Sequence, residues 1–310
     1  MKERLSTLVR CPPKSVGMFD MLTGRLLRAG LSCRKVGWLI GAIPLLCAIG
    51  LFFSRQQDET VVRQRAVLIT ENLNTDSSRI RAVNDWVHHN QGSAKNNRYF
   101  IVPAFGPTSI QVMEQGGDCS DKSRLVAALL NSLGIDAGLV MISPCPHCEF
   151  IHTVVEAEYE NGRMVVDPTW DVDYPTGEGR FLGVRELAGT DRGRERVIEL
   201  QRQRPINDTI ARMPTNEATF DYAVAMNWDR DIVTRTVRAI LKLSGYSTEA
   251  IFRPRILEEP KLLLICLLIG ITTACVLAGF LIDLGLRSVM TRSPQRMTDA
   301  NADKLEATDA

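Results

Sequence analysis

The sequence predicts an α+β domain held between two membrane-spanning helices. Two uncharged apolar runs, residues 36–53 and 262–282, are each long enough to cross a bilayer core, which takes roughly 20 helical residues. Between them, a helix-forming segment precedes three short apolar segments of strand character. We therefore divide the chain into a basic N-terminal tail (1–35), a first transmembrane helix (36–53), a domain (54–260), a second transmembrane helix (261–286) and a polar C-terminal tail (287–310).

The composition suits a folded domain and argues against nucleic-acid binding. Of the 310 residues, 45% are hydrophobic, which is enough for a sizeable core. The 37 lysines and arginines nearly cancel the 36 aspartates and glutamates, so the whole chain has no basic field that would attract a polyanion. The partner that the composition predicts is the lipid bilayer.

The two apolar runs differ in how clearly they predict a membrane span. The second is rich in leucine and isoleucine and lies between Lys261 and Arg287. The first could also be a buried helix of a soluble protein or the apolar core of a signal peptide. Because thirty-five residues precede it and no small-residue cleavage site follows, we interpret it as an uncleaved anchor.

The charge of the N-terminal tail predicts the orientation of the domain. Residues 1–35 contain eight basic and two acidic side chains, and short basic segments stay on the cytoplasmic side of a membrane. Both tails are then cytoplasmic. We expect an integral membrane protein with two spans whose domain is extracytoplasmic, and therefore periplasmic in a bacterium.

Inside the domain, periodicity and turn residues predict the order of elements. Asp76 or Ser77 can begin a helix that runs to about Asn90, which leaves His88 and His89 at a solvated helix end. A second helix starts at Cys119, and Gly134 ends it. Three strands follow, the last two joined through Asn161-Gly162, a strong hairpin signal: Ala137–Ile142, His152–Tyr159 and Met164–Asp167. These elements form a core over residues 76–175, and residues 176–260 are a mainly helical extension.

The candidate chemistry is centred on Cys119. A thiol attacks as the thiolate, and a helix N-terminus or a neighbouring imidazole stabilises that form. Cys119 lies in the first turn of its helix, and His152 on the second strand is the best placed of the four histidines to act as its base. A carboxylate that accepts the other ring N–H would orient this base, and Asp167 ends the third strand.

Four short motifs together resemble the core of the transglutaminase-like superfamily. They are Gly-Asp-Cys at 117–119, Leu-Gly-Ile at 133–135, His-Thr-Val-Val-Glu-Ala from His152, and Asp-Pro-Thr-Trp at 167–170. The resemblance implies a papain-like fold with Cys119, His152 and Asp167 as a catalytic triad. It also implies acyl transfer through a thioester, a protein or peptide substrate, and no cofactor.

Two further positions, Asp171 and Gln115, are candidates for roles beside the triad. A two-residue turn at Asn161-Gly162 would place Asp171 opposite His152 and Asp167 roughly 13 Å away along the strand. Either the hairpin is bulged or looped differently, which keeps Asp167 as the orienting carboxylate, or Asp171 is the carboxylate that orients the ring. Gln115 is a candidate side chain for the oxyanion hole, together with the backbone N–H of Cys119.

The loop Cys145-Pro146-His147-Cys148 lies just before His152 and allows three interpretations. It could hold a local disulfide, a redox dithiol or half of a zinc site. We favour a disulfide between Cys145 and Cys148, which leaves Cys119 as a free thiol, and we assign no metal site.

Two alternatives to an acyl-transfer enzyme remain. One is a non-catalytic transglutaminase-like binding module, and the other is a thiol-disulfide redox protein that uses Cys145 and Cys148.

Overall fold

The computed structural model describes residues 33–90, 92, 94–102, 105–145, 152–177, 179–204, 219–224, 232–243, 245 and 255–306. The chain divides into two compact units. One comprises Met1–Gly50 and Ile265–Ala310, and the other comprises Leu51–Leu264.

The described helices and strands are as follows. The helices are α1 (Cys33–Ile69), α2 (Asp76–His89), α3 (Ser109–Gln115), α4 (Cys119–Ser132), α5 (Val184–Leu187), α6 (Arg192–Gln203), α7 (Ile232–Leu243), α8 (Arg255–Glu258) and α9 (Pro260–Glu306). The strands are β1 (Ala137–Ser143), β2 (His152–Tyr159), β3 (Gly162–Asp167), β4 (Val172–Asp173), β5 (Pro175–Gly177), β6 (Arg180–Phe181) and β7 (Tyr222–Val224).

The first unit contains most of the apolar residues of α1 and α9. The segments Lys35–Ile69 and Pro260–Gly285 are long and apolar enough to cross a membrane, and only 17% and 11% of their most apolar stretches are buried. Within this unit, a side chain at Gly37 would lie 2.8 Å from the carbonyl oxygen of Cys275, so only glycine allows this approach. Thr272 Oγ1 also donates to the carbonyl of Gly41 at 3.2 Å.

The second unit is built on a five-stranded antiparallel sheet in the order β4-β3-β2-β1-β7. Its strands are apolar on both sides, so a hydrophobic core forms on each face. The first core packs the sheet against α1, α2, α3 and α4, and it includes Val62, Ile80, Val112, Leu125, Leu129, Val155 and Val166. The second lies on the opposite face and includes Val140, Val154, Val165, Trp170, Leu187 and Phe220. The predicted α+β class is confirmed.

Helix α4 begins and ends where the sequence predicts. The carboxylate of Asp118 caps it by accepting from the backbone N–H of Asp121 at 3.1 Å. Gly134, with φ +85°, follows its last turn. Cys119 is therefore the first helical residue.

The β2–β3 hairpin has a different register from the predicted one. Tyr159 pairs with Gly162 and Val155 with Val166, so the chain turns at Glu160 and Asn161 rather than at Asn161 and Gly162. The predicted register was wrong by two residues. A shift of two keeps every side chain on the same face, so the hydrophobic pattern cannot distinguish the two registers. The carboxylate of Glu160 accepts from the backbone N–H groups of Asp76 and Ser77, a tertiary contact that helps to define the turn.

Candidate active site

His152 and Asp167 form a buried hydrogen bond at one end of the hairpin. Nε2 of His152 lies 2.6 Å from Oδ2 of Asp167, and both side chains are 0% exposed. Continuing the observed register places Asp167 opposite Val154, two residues from His152 and roughly 7 Å away along the strand. Side chains on the same face can span that distance, and the two-residue change of register is what brings them together.

Both carboxylate oxygens of Asp167 are occupied. Oδ2 faces His152, and Oδ1 accepts from the backbone N–H of Thr169 at 2.8 Å. A carboxylate held at both oxygens cannot rotate away from the imidazole. Asp167 therefore determines the orientation of the ring.

The surroundings of His152 favour the protonated ring. Burial lowers its pKa, but the charge and hydrogen bond of Asp167 raise it more, with a further contribution from Cys119, so the pKa is about 10. Because Nε2 faces Asp167, Nδ1 is the nitrogen left for Cys119. Among the described residues Nδ1 has no hydrogen-bond partner, so it is open to a neighbouring thiol.

Cys119 has a free thiol and is partly exposed. Its helix is tied to the strand that carries His152, because Oγ of Ser123 donates to the carbonyl of Thr153 at 2.8 Å. Ser123 lies one turn after Cys119 and is fully buried. This contact connects the start of α4 to the start of β2.

The loop before Cys119 is closely packed. A Cβ at Gly117 would lie 2.3 Å from Cβ of Asp121, so this position requires glycine. Asn96 lies earlier in the chain and stabilises this loop, because its Nδ2 donates to the carbonyls of Gly116 at 2.8 Å and Gln111 at 3.1 Å. Sequence reasoning missed Asn96, which lies in a segment without periodicity.

Trp170 packs against the imidazole of His152. The ring centroids are 4.5 Å apart, and the indole is fully buried. In the sequence analysis, Trp170 was the last residue of the motif Asp-Pro-Thr-Trp and had no role of its own. In the structure it covers the imidazole and excludes water from the His152–Asp167 pair, which strengthens their electrostatic interaction.

Asp171 and Gln115 have other partners. Asp171 adopts φ +52°, and its carboxylate accepts from Nδ2 of Asn84 at 3.0 Å. The structure thus brings Asp167, and not Asp171, to His152. Gln115 is exposed, and in the amide orientation that satisfies both groups its oxygen accepts from Nε of Arg98 at 2.7 Å. Its role at an oxyanion hole stays a prediction.

The Cys145–Cys148 loop is described only at its start. Cys145 is bonded in a disulfide, and Oγ of Ser143 donates to its carbonyl at 2.7 Å. The expected partner Cys148 lies outside the described residues, as does His147. A bonded Cys145 agrees with the disulfide interpretation, but the pairing with Cys148 stays a prediction.

One group of described side chains has the spacing of metal ligands. Ligand atoms of Asp85, His89 and Asp171 lie within 4.8 Å of one another. Asp85 and His89 are exposed, and Nδ1 of His89 already lies 2.9 Å from the carbonyl of Asp85. We assign no metal to this surface group.

Comparisons with known proteins agree with the fold. Residues 63–168, about a third of the chain, match the transglutaminase-like superfamily, and this range contains Cys119, His152 and Asp167. No curated protein matches the chain.

Two solved structures show weak similarity. A candidate cysteine protease from Cytophaga hutchinsonii is 19% identical with a TM-score of 0.31, and the alignment covers 37% of this chain and 38% of that one. A candidate protease from Parabacteroides distasonis is 15% identical with a TM-score of 0.26, covering 42% of this chain and 30% of that one. The chain thus spans well under half the length of either protein, and similarity at this level says nothing about its own activity.

Proposed function

We propose that this chain is a membrane-anchored cysteine enzyme that transfers acyl groups through a thioester. The proposal starts from residues 63–168, which match the transglutaminase-like superfamily. The observation that carries the proposal is the buried hydrogen bond between His152 and Asp167, in a domain whose free thiol starts a helix. Cys119 is the nucleophile, His152 its base and Asp167 the residue that orients the base.

In the first half of the reaction the thiolate of Cys119 attacks the carbonyl carbon of an amide. A C–S bond forms, and the carbonyl oxygen takes up negative charge beside the backbone N–H groups that open α4. As the intermediate collapses, the C–N bond breaks and Nδ1 of the His152 imidazolium gives its proton to the leaving amine. The products are a thioester on Cys119 and a free amine.

In the second half, water or an amine attacks the thioester. Nδ1 of His152 removes a proton from the attacking group, and the C–S bond breaks to release the thiolate. Asp167 stays ionised throughout and stabilises the imidazolium. Water as acceptor gives hydrolysis or deamidation, and an amine gives a crosslink.

The proposed setting is the outer surface of a membrane. Two apolar helices would anchor the domain, one that precedes it in the chain (Lys35–Ile69) and one that follows it (Pro260–Gly285). The basic tail of residues 1–35 supports a cytoplasmic N-terminus and hence an extracytoplasmic domain that acts on a protein or peptide.

Labelling with a thiol-directed epoxide tests the proposal. The full chain in detergent is treated with the probe, and peptide mass spectrometry locates the adduct. We expect Cys119 to be labelled first, and we expect His152→Ala to remove this preference. A binding module would show slow labelling of Cys119 that His152→Ala does not change. A redox protein would keep its thiol-disulfide exchange after Cys119→Ser.

A further inference from the structure

Lys122 is a buried cation on the nucleophile helix. It follows Cys119 by three residues, so the two lie one helical turn apart on the same side of α4. Only 4% of Lys122 is exposed, and its Nζ donates to the carbonyl oxygen of His88 at 3.0 Å. An ammonium is expensive to bury unless it is hydrogen-bonded and balanced by negative charge, so a specific role accounts for its position.

The side chain of His88 makes a second contact, next to Asp167 in the chain. Its Nδ1 lies 3.1 Å from the carbonyl oxygen of Pro168, the residue after Asp167. A carbonyl can only accept, so Nδ1 carries the proton and donates. The sequence suggested a solvated helix end here. That was wrong for His88, which is partly buried and bonded, whereas its neighbour His89 is exposed.

The charge state of His88 agrees with its donating one hydrogen bond, to Pro168. Burial lowers its pKa and the nearby Lys122 and Arg204 act in the same direction, against the hydrogen bond to Pro168 and the charge of Asp171. The ring is therefore neutral near pH 7. A neutral ring has one N–H, and the contact with Pro168 uses it.

Two hydrogen bonds thus run from α4 through the end of α2 to the turn that carries the proposed orienting carboxylate. We propose that His88 and Lys122 are positioning residues, which hold the helix of Cys119 in register with the Asp167 turn so that thiol and imidazole meet. This inference rests on the proposed function. It adds two residues that touch neither the substrate nor the reacting atoms.

The charge of Lys122 adds an electrostatic reason. Burial lowers its pKa, and the carboxylate of Asp167 opposes that shift. With a thiolate at Cys119 and an imidazolium at His152, the ammonium of Lys122 and the carboxylate of Asp167 bring the buried group to zero net charge. The same sum holds for a thiol and a neutral imidazole, so the ammonium of Lys122 balances the carboxylate of Asp167 in both states of the pair.

The test measures the alkylation rate constant of Cys119 by iodoacetamide at pH 7 in the full chain in detergent. We expect His88→Leu and Lys122→Met each to lower this rate constant about tenfold. A tenfold change corresponds to the free energy of about one hydrogen bond that involves a charged group. His88→Asn should stay within about twofold, because its amide nitrogen can replace Nδ1 as donor. His89→Asn is the matched control and should react like the wild type.

A second comparison keeps the test valid if His88→Leu fails to fold. His88→Gln keeps the polarity of the side chain but carries its donor one bond too far, so we expect it to react slowly while His88→Asn reacts fast. Equal rates for these two variants would overturn the inference, as would wild-type rates in both His88→Leu and Lys122→Met. If wild-type Cys119 itself reacts only like an ordinary cysteine, the proposed function fails instead, so the two failures are distinguishable.

Discussion

His152 and Asp167 bond through Nε2 and Oδ2 at 2.6 Å because the β2–β3 turn lies at Glu160 and Asn161. A turn one residue later would have moved the partner of His152 to Asp171. The hairpin register therefore decides which carboxylate orients the imidazole.

The first prediction distinguishes these two carboxylates. Asp167→Asn should lower the alkylation rate of Cys119 about tenfold or more, since it replaces a charged partner of the buried imidazole. Asp171→Asn is the matched control, because asparagine tolerates the positive φ of this position, and it should leave the rate near the wild-type value. The reverse order would make Asp171 the orienting residue.

The second prediction concerns stability against pH. Burial lowers the pKa of His152, but Asp167 and Cys119 raise it to about 10, above the 6.5 of an unfolded histidine. Protonation thus favours the folded chain, and its stabilisation is complete below about pH 6.5 and disappears as the pH approaches about 10. Thermal melting in detergent should show a midpoint that falls between pH 7 and pH 10. The fall should be smaller in Asp167→Asn and unchanged in His89→Asn. An equal fall in Asp167→Asn would contradict this pKa.

The third prediction concerns the loop before Cys119. Gly117→Ala should destabilise the domain by about 1–3 kcal/mol, because the new methyl group overlaps the side chain of Asp121. Gly92→Ala is the control, since nothing lies within 4 Å of a methyl group there. Equal melting temperatures for the two variants would show that the loop can move away from Asp121.

The fourth prediction concerns the cysteines. In native membranes without reductant, iodoacetamide should modify Cys119 and leave Cys145 unmodified, because Cys145 is bonded in a disulfide. After denaturation and reduction, both should react. Mass spectrometry of the unreduced peptides would identify the partner of Cys145, and recovery of alkylated Cys145 without reductant would exclude the disulfide.

The positions of Cys119 at a helix start and of His152 on a strand were predictable because their signals are local. Cys119 has a capped helix start before it and helix formers after it, and His152 begins an apolar strand. The hairpin register was not predictable in this way, because a shift of two residues preserves both faces of the strand. The resemblance to a family, and not the pairing of strands, favoured Asp167 over Asp171.

His88, Lys122 and Asn96 could not be placed from the sequence. Their partners are distant along the chain, as in the contacts of Lys122 with His88 and of His88 with Pro168. A histidine at the end of an amphipathic helix looks solvated until another element covers it. A lysine in a helix likewise looks like a surface residue until the helix is packed on both sides.

The pH dependence of Cys119 alkylation tests the central claim most directly. An ordinary thiol with a pKa of about 8.5 slows roughly 75-fold between pH 8 and pH 6, because its thiolate fraction falls. If Cys119 forms an ion pair with His152, the rate in the wild type should stay nearly constant over this interval. His152→Ala should restore the steep dependence. A steep dependence already in the wild type, unchanged by His152→Ala, would contradict the account.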